Sequence, residues 1–82
     1  MIFMISKQEA LVIAHEYIEG AILQESCRSV MTSSSSYPKK WVFDIYHRNH
    51  EKDTFHTIIH ITNTGAVSDW TRYQVGDQYD IE

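Results

Sequence analysis

Five histidines in 82 residues raise the question of metal binding or acid–base chemistry first. They are His15, His47, His50, His56 and His60, accompanied by one thiol, Cys27. His56 and His60 are four apart, which on a helix places two ligands over one ion. Their surroundings alternate, however: Phe55, Thr57, Ile59 and Ile61 take turns with His56, Ile58 and His60, the period of a strand. On a strand the two imidazoles stand about 13 Å apart, whereas zinc ligands converge at about 2.0–2.1 Å from a single ion. His47 and His50 converge only if the loop between them folds back, and they then supply two ligands at most. The sequence therefore predicts no metal site and, lacking a glycine-rich phosphate loop or a nucleophile elbow, no cofactor.

A second strand is predicted upstream. Trp41, Phe43 and Ile45 alternate with Val42, Asp44 and Tyr46, and the polar run at residues 48–53 suits a hairpin loop. Centring the hairpin near Glu51 sets Ile45 opposite Thr57, Phe43 opposite Ile59 and Trp41 opposite Ile61. Both apolar sets then share one face, and a slip of one residue buries the charged alternates, so the register is well specified. The same register gathers Asp44, Tyr46, His56 and His60 on the other face, with Asp44 diagonal to both histidines. A carboxylate beside an imidazole raises its pKa and orients it, the arrangement of a general base. No nucleophile is placed beside this polar patch, and Cys27 has no catalytic signature around it. The chain reads as non-catalytic, with a small enzyme using Asp44, His56 and His60 as the alternative.

The elements that position these residues follow from the rest of the chain. Ser6-Lys7-Gln8-Glu9 fits a capping box. Ala10, Ile13, Ala14, Tyr17, Ile18 and Ala21 then recur at helical spacing, with Gly20 closing the helix. Residues 22–33 are open between a continued helix and a short strand at residues 28–32, and the serines at 33–36 before Tyr37-Pro38 read as a loop. Asn63-Thr64-Gly65 is a turn leading to a third strand over residues 66–70, and a polar, acidic tail is expected from about residue 71. This order gives one α+β domain over residues 1–82: an N-terminal helix packed on a three- or four-stranded antiparallel meander. Trp41, Phe43 and Phe55 are expected in the core against Ile13 and Tyr17, with Tyr46, Trp70, Tyr73 and Tyr79 on the other face or in the tail.

Composition narrows the function classes. Eleven acids against seven bases give a formal charge of −4, which argues against nucleic acid, whose binders neutralise phosphates with a basic face. An apolar start of five residues is too short for a signal peptide or a membrane span, and one cysteine suits a reducing compartment, so the expected location is cytoplasmic. A chain of this length buries only about 60–65% of its unfolded surface, so a protein partner or a second copy of itself is a natural source of added stability. Tyrosine and tryptophan beside acids make a binding surface. Asp69, Trp70, Tyr73, Asp77, Tyr79 and Asp80 are the candidate contacts.

Three segments carry a family resemblance. Ile5-Ser6-Lys7-Gln8-Glu9-Ala10-Leu11-Val12-Ile13-Ala14, followed by Tyr17-Ile18, resembles the opening helix of small bacterial immunity proteins of polymorphic toxin systems, and equally that of PepSY-type domains. Trp41-Val42-Phe43 resembles the first strong strand of the immunity group, and the stretch from Ile58 to Val67 resembles the closing hairpin of both. The PepSY hairpin usually carries an aspartate three residues before the Thr-Gly threonine, where this chain has Ile61. PepSY domains are also commonly exported or membrane-tethered. The immunity resemblance implies a cytoplasmic protein that binds and blocks a toxin without catalysis; the PepSY alternative implies a regulatory or protease-inhibitory module.

Overall fold

A computed structural model describes residues 4–33 and 37–76. They form a helix, α1 (Lys7–His15), and four strands, β1 (Ala21–Met31), β2 (Pro38–Arg48), β3 (Thr54–Thr62) and β4 (Val67–Val75), joined as an antiparallel meander in the order β1-β2-β3-β4. The expected α+β architecture is present, and its sheet has four strands.

The helix begins where the sequence places it. Ser6 Oγ accepts from the Glu9 amide at 3.1 Å and Glu9 Oε1 accepts from the Ser6 amide at 2.8 Å, which closes the capping box. The helix ends at His15 rather than running on to Gly20. Ala21 pairs with Arg48, so the chain needs residues 16–20 to reverse and enter the sheet. Gly20 makes that reversal with φ at +89°, lying so close to the end of β2 that a Cβ there would stand 2.1 Å from the Arg48 carbonyl oxygen.

The core lies between α1 and one face of the sheet. Ala10 and Ala14 let the helix approach Trp41, Phe43, Ile45, Ile59 and Ile61, all buried. The β2–β3 register is the expected one: Trp41 faces Ile61, Phe43 faces Ile59 and Ile45 faces Thr57. The loop over residues 49–53 is held by Asn49, whose Oδ1 accepts from the amides of Glu51 (3.0 Å) and Asp53 (2.9 Å), with Lys52 at φ 72°. Gly65, at φ +91°, turns β3 into β4 as predicted.

Three local expectations change. Residues 22–31 resolve as strand β1, because pairing along nearly all of β2 overrides the helical leaning of Ile22-Leu23. Strand β4 continues to Val75, so residues 71–75 form a sheet edge where polar composition suggested a tail. Trp70 lies opposite Ile59 and so on the helix side of the sheet, not beside Tyr46 and Tyr73. It is 46% exposed and tilts against Tyr17 (centroids 6.0 Å apart), which is itself drawn out of the expected core to the β4 edge. No helix among the described residues is long and apolar enough to cross a membrane.

Candidate functional site

The helix packs over β2 and β3 on one face of the sheet, and most of the candidate residues within the described chain lie on the other. Alternation along β2 and β3 sends Asp44, Tyr46, His56 and His60 to this open face, and the outer strands add Arg28 from β1 and Asp69 and Tyr73 from β4. Asp44 sits at the centre. Its Oδ1 meets His56 Nε2 at 3.2 Å and its Oδ2 meets the Arg28 guanidinium at 3.5 Å. The His56 ring stacks on Tyr46, with centroids 4.2 Å apart and planes at 14°, and tilts towards Tyr73 at 6.1 Å. One strip therefore crosses all four strands, charged towards β1 and aromatic towards β4.

Of the residues expected in the polar patch, Asp44, Tyr46 and His56 come together as a bonded group. His60 stands further along β3, opposite Asp69 and Val42, with its Nδ1 buried and unpartnered. Of the expected contact residues, Asp69 and Tyr73 lie on the open face, Tyr73 being 53% exposed, while Trp70 lies on the helix side. Asp77, Tyr79 and Asp80 lie outside the described residues.

The strip combines a charged centre with stacked rings: aspartate between arginine and histidine is a charge-assisted hydrogen-bond centre, and the imidazole and phenol rings lie face to face beside it. Among the described residues no group of three or more His, Cys, Asp and Glu side chains is placed to hold a metal ion. Cys27 borders an open cavity of about 260 Å3 between α1 and β1, lined also by Lys7, Leu11, Glu25 and Phe43. Burial, with the nearby Glu25 carboxylate adding to it, pushes its thiol pKa up against the opposing pull of Lys7. The thiol is thus held in its less nucleophilic form.

A second polar group, whose partners no local pattern in the sequence foretells, lies on the helix side around His47. His47 is 1% exposed. Its Nδ1 lies 2.9 Å from the Glu19 carbonyl oxygen and its Nε2 lies 2.7 Å from Thr57 Oγ1. Arg72 donates through Nε to the same Thr57 oxygen at 2.9 Å and through Nη2 to the Tyr17 carbonyl, and its guanidinium stands 5.2 Å from the Trp70 ring centre. One proton assignment satisfies every group: Arg72 donates to Thr57, Thr57 donates to neutral His47 Nε2, and His47 Nδ1–H donates to Glu19. This network ties the chain reversal at residues 16–20 to β2, β3 and β4. The alternation that puts Trp41, Phe43 and Ile45 in the core also puts His47 there, and that parity is the signal that identifies it.

Desolvation holds the His47 pKa below the usual imidazole range, and the nearby Arg72 charge pushes the same way, while the bond to Glu19 opposes both. Because the folded pKa is the lower one, the unfolded chain takes up the proton first. The contribution of neutral His47 is complete above the unfolded pKa, near 6.5, and declines as pH falls through it towards the folded value, by at most about 1.4 kcal/mol per pH unit. Thermal melts between pH 7.5 and pH 5 are expected to show this loss in the wild type and a shallower one in His47→Gln. Equal slopes in the two proteins would contradict the assignment.

No protein-family model, curated protein or solved structure matches the chain.

Proposed function

We propose that the chain is a non-catalytic binding protein of the immunity or inhibitor kind, which occludes a protein partner through the open face of its sheet. The observation that carries this reading is the strip Arg28–Asp44–His56 flanked by Tyr46 and Tyr73, drawn from all four strands. Its composition is that of interface hot spots, in which tyrosine and arginine dominate and a rigid aromatic loses little side-chain entropy on docking. A sheet face of this kind suits a protein surface better than a small molecule, which needs a concave site. The formal charge of −4 favours a basic partner and speeds encounter with it. The resemblance to immunity proteins points to a toxin as that partner and to the cytoplasm as the place of binding.

The bonding of His56 suits recognition, although a carboxylate that orients an imidazole is equally the arrangement of a general base. Its Nε2 faces Asp44 and its ring is stacked on Tyr46, so the imidazole is anchored in the strip. The alternative, a small enzyme using Asp44, His56 and His60, would draw on the same Asp44–His56 contact, but His60 stands away from it, opposite Asp69 and Val42.

The test is capture on the tagged chain from its native cells, in parallel with a Tyr46→Ala/His56→Ala variant checked for an unchanged circular dichroism spectrum. The expected result is a protein retained in stoichiometric amount by the wild type and lost from the variant. Retention of the same protein by both would remove the open face from the account.

A further inference from the structure

Beyond the partner-binding face, the outer edge of β4 carries an inference of its own. Strand β4 is a lateral edge of the sheet: β3 pairs with one side of it, and among the described residues no strand pairs with the other. The residues from Ser68 to Gln74 are all exposed, including Trp70 and Tyr73. Nine residues of strand present about 30 Å of edge with unpaired backbone donors and acceptors. Such edges are usually protected by free charges, prolines or bulges. Here the strand has no proline, its register shift lies near its start, its one cation, Arg72, is bonded inwards to Thr57 and to the Tyr17 carbonyl, and its one charge left at the edge is the carboxylate of Asp69, next to that shift. The opposite edge, β1, has register shifts near both ends, and these disrupt pairing with a further strand.

We infer that β4 pairs antiparallel with β4 of a second copy of this chain about a twofold axis at Thr71, joining two sheets into one of eight strands. A twofold axis normal to the sheet keeps each residue on its own face, so pairs must be of equal parity. Thr71 then faces the partner copy's Thr71 at the middle of β4, Asp69 faces the partner's Tyr73, and Trp70 faces the partner's Arg72. Each of these pairs is favourable across strands: threonine with threonine, carboxylate with phenol, and indole with guanidinium. The Trp70–Arg72 pair forms twice, extending the contact each Arg72 already makes with its own Trp70. Moving the axis to Arg72 sets two guanidinium groups directly opposite one another, which is repulsive. Moving it to Trp70 sets Arg72 against Ser68 and forfeits both the cation–π and the Asp–Tyr pairs. The sequence of β4 is thus self-complementary in one register, and that register is centred on the strand. Helices of both copies lie on the same side of the joined sheet, and the two open faces become continuous, with Asp69 of the partner copy beside Tyr73.

Sedimentation across a concentration series, together with directed cross-linking, tests the inference. The wild type is expected to move from 9.6 kDa towards twice that mass as concentration rises, within the range to about 1 mM in which small interfaces associate. In a twofold antiparallel pair the residue on the axis lies within disulfide reach of its own copy. Under mild oxidation Cys27→Ser/Thr71→Cys should therefore cross-link at least tenfold faster than Cys27→Ser/Ser29→Cys, which places the thiol on β1. Trp70→Lys sets an ammonium against the partner's Arg72 and is expected to weaken dimerisation at least tenfold with an unchanged circular dichroism spectrum. A monomer throughout the series would overturn the inference, as would equal cross-linking of the two thiol variants or a Trp70→Lys dimer as tight as the wild type.

Discussion

Replacing Gly20 with alanine is expected to lower the thermal midpoint by at least about 12 °C, and in practice to leave little folded protein near 37 °C. The backbone there has φ +89°, and the added methyl carbon would stand 2.1 Å from the Arg48 carbonyl oxygen and 2.7 Å from the Asn49 Cα, both main-chain atoms. The left-handed conformation alone costs an L-residue about 1–2 kcal/mol. Relieving the clash requires the segment at residues 19–20 to move away from the end of β2. That movement pulls the Glu19 carbonyl from His47, 2.9 Å away, and leaves a buried imidazole N–H unpaired, at a further cost of about 1–3 kcal/mol. A domain of this size has about 4–12 kcal/mol of stability in all, so the sum removes a large share of it. A melting shift of less than about 4 °C, the size expected for 1 kcal/mol, would show that the chain reversal is not confined as described.

The second large effect is expected at Thr57, where volume and hydrogen bonding make opposite predictions. Thr57→Val preserves the shape of a fully buried side chain but removes the hydroxyl shared by His47 and Arg72. It strands the buried ring nitrogen of His47, for which a loss of about 1–3 kcal/mol is expected, while the guanidinium of exposed Arg72 can turn to water. Thr57→Ser keeps the hydroxyl and deletes a methyl group, for about 1 kcal/mol. Serine is therefore expected to be the milder replacement in urea denaturation, although valine fills the site better. The reverse order would mean that packing, and not the polar network, stabilises this part of the core.

These two positions also mark where the sequence is legible and where it is not. The β2–β3 hairpin can be read because both strands are buried on one face, so alternation from Trp41 to Ile45 and from Phe55 to Ile61 admits a single register. The same alternation runs on into His47, but hydropathy counts that residue as polar. Its partners come from Glu19, Thr57 and Arg72, separated along the chain by distances that no local pattern spans. Strand β1 and the end of β4 are hard to read for a different reason. Most of their residues are exposed on both faces, so neither carries the period-two contrast that identifies a strand. The polar patch was visible as Asp44, Tyr46, His56 and His60, whereas Arg28 joins it only once β1 is recognised as the neighbour of β2. The face that Trp70 takes follows only from the β3–β4 register.

In the proposed function a partner protein docks on the open face of the sheet. Calorimetric titration of the captured protein into the wild type and into Tyr46→Ala/His56→Ala measures it most directly, because neither substitution lies on β4. An affinity loss of about 100-fold or more is expected, equivalent to roughly 2.7 kcal/mol for two aromatic contacts at the centre of an interface. Equal affinities for the two proteins, each with the wild-type spectrum and melting behaviour, would contradict it.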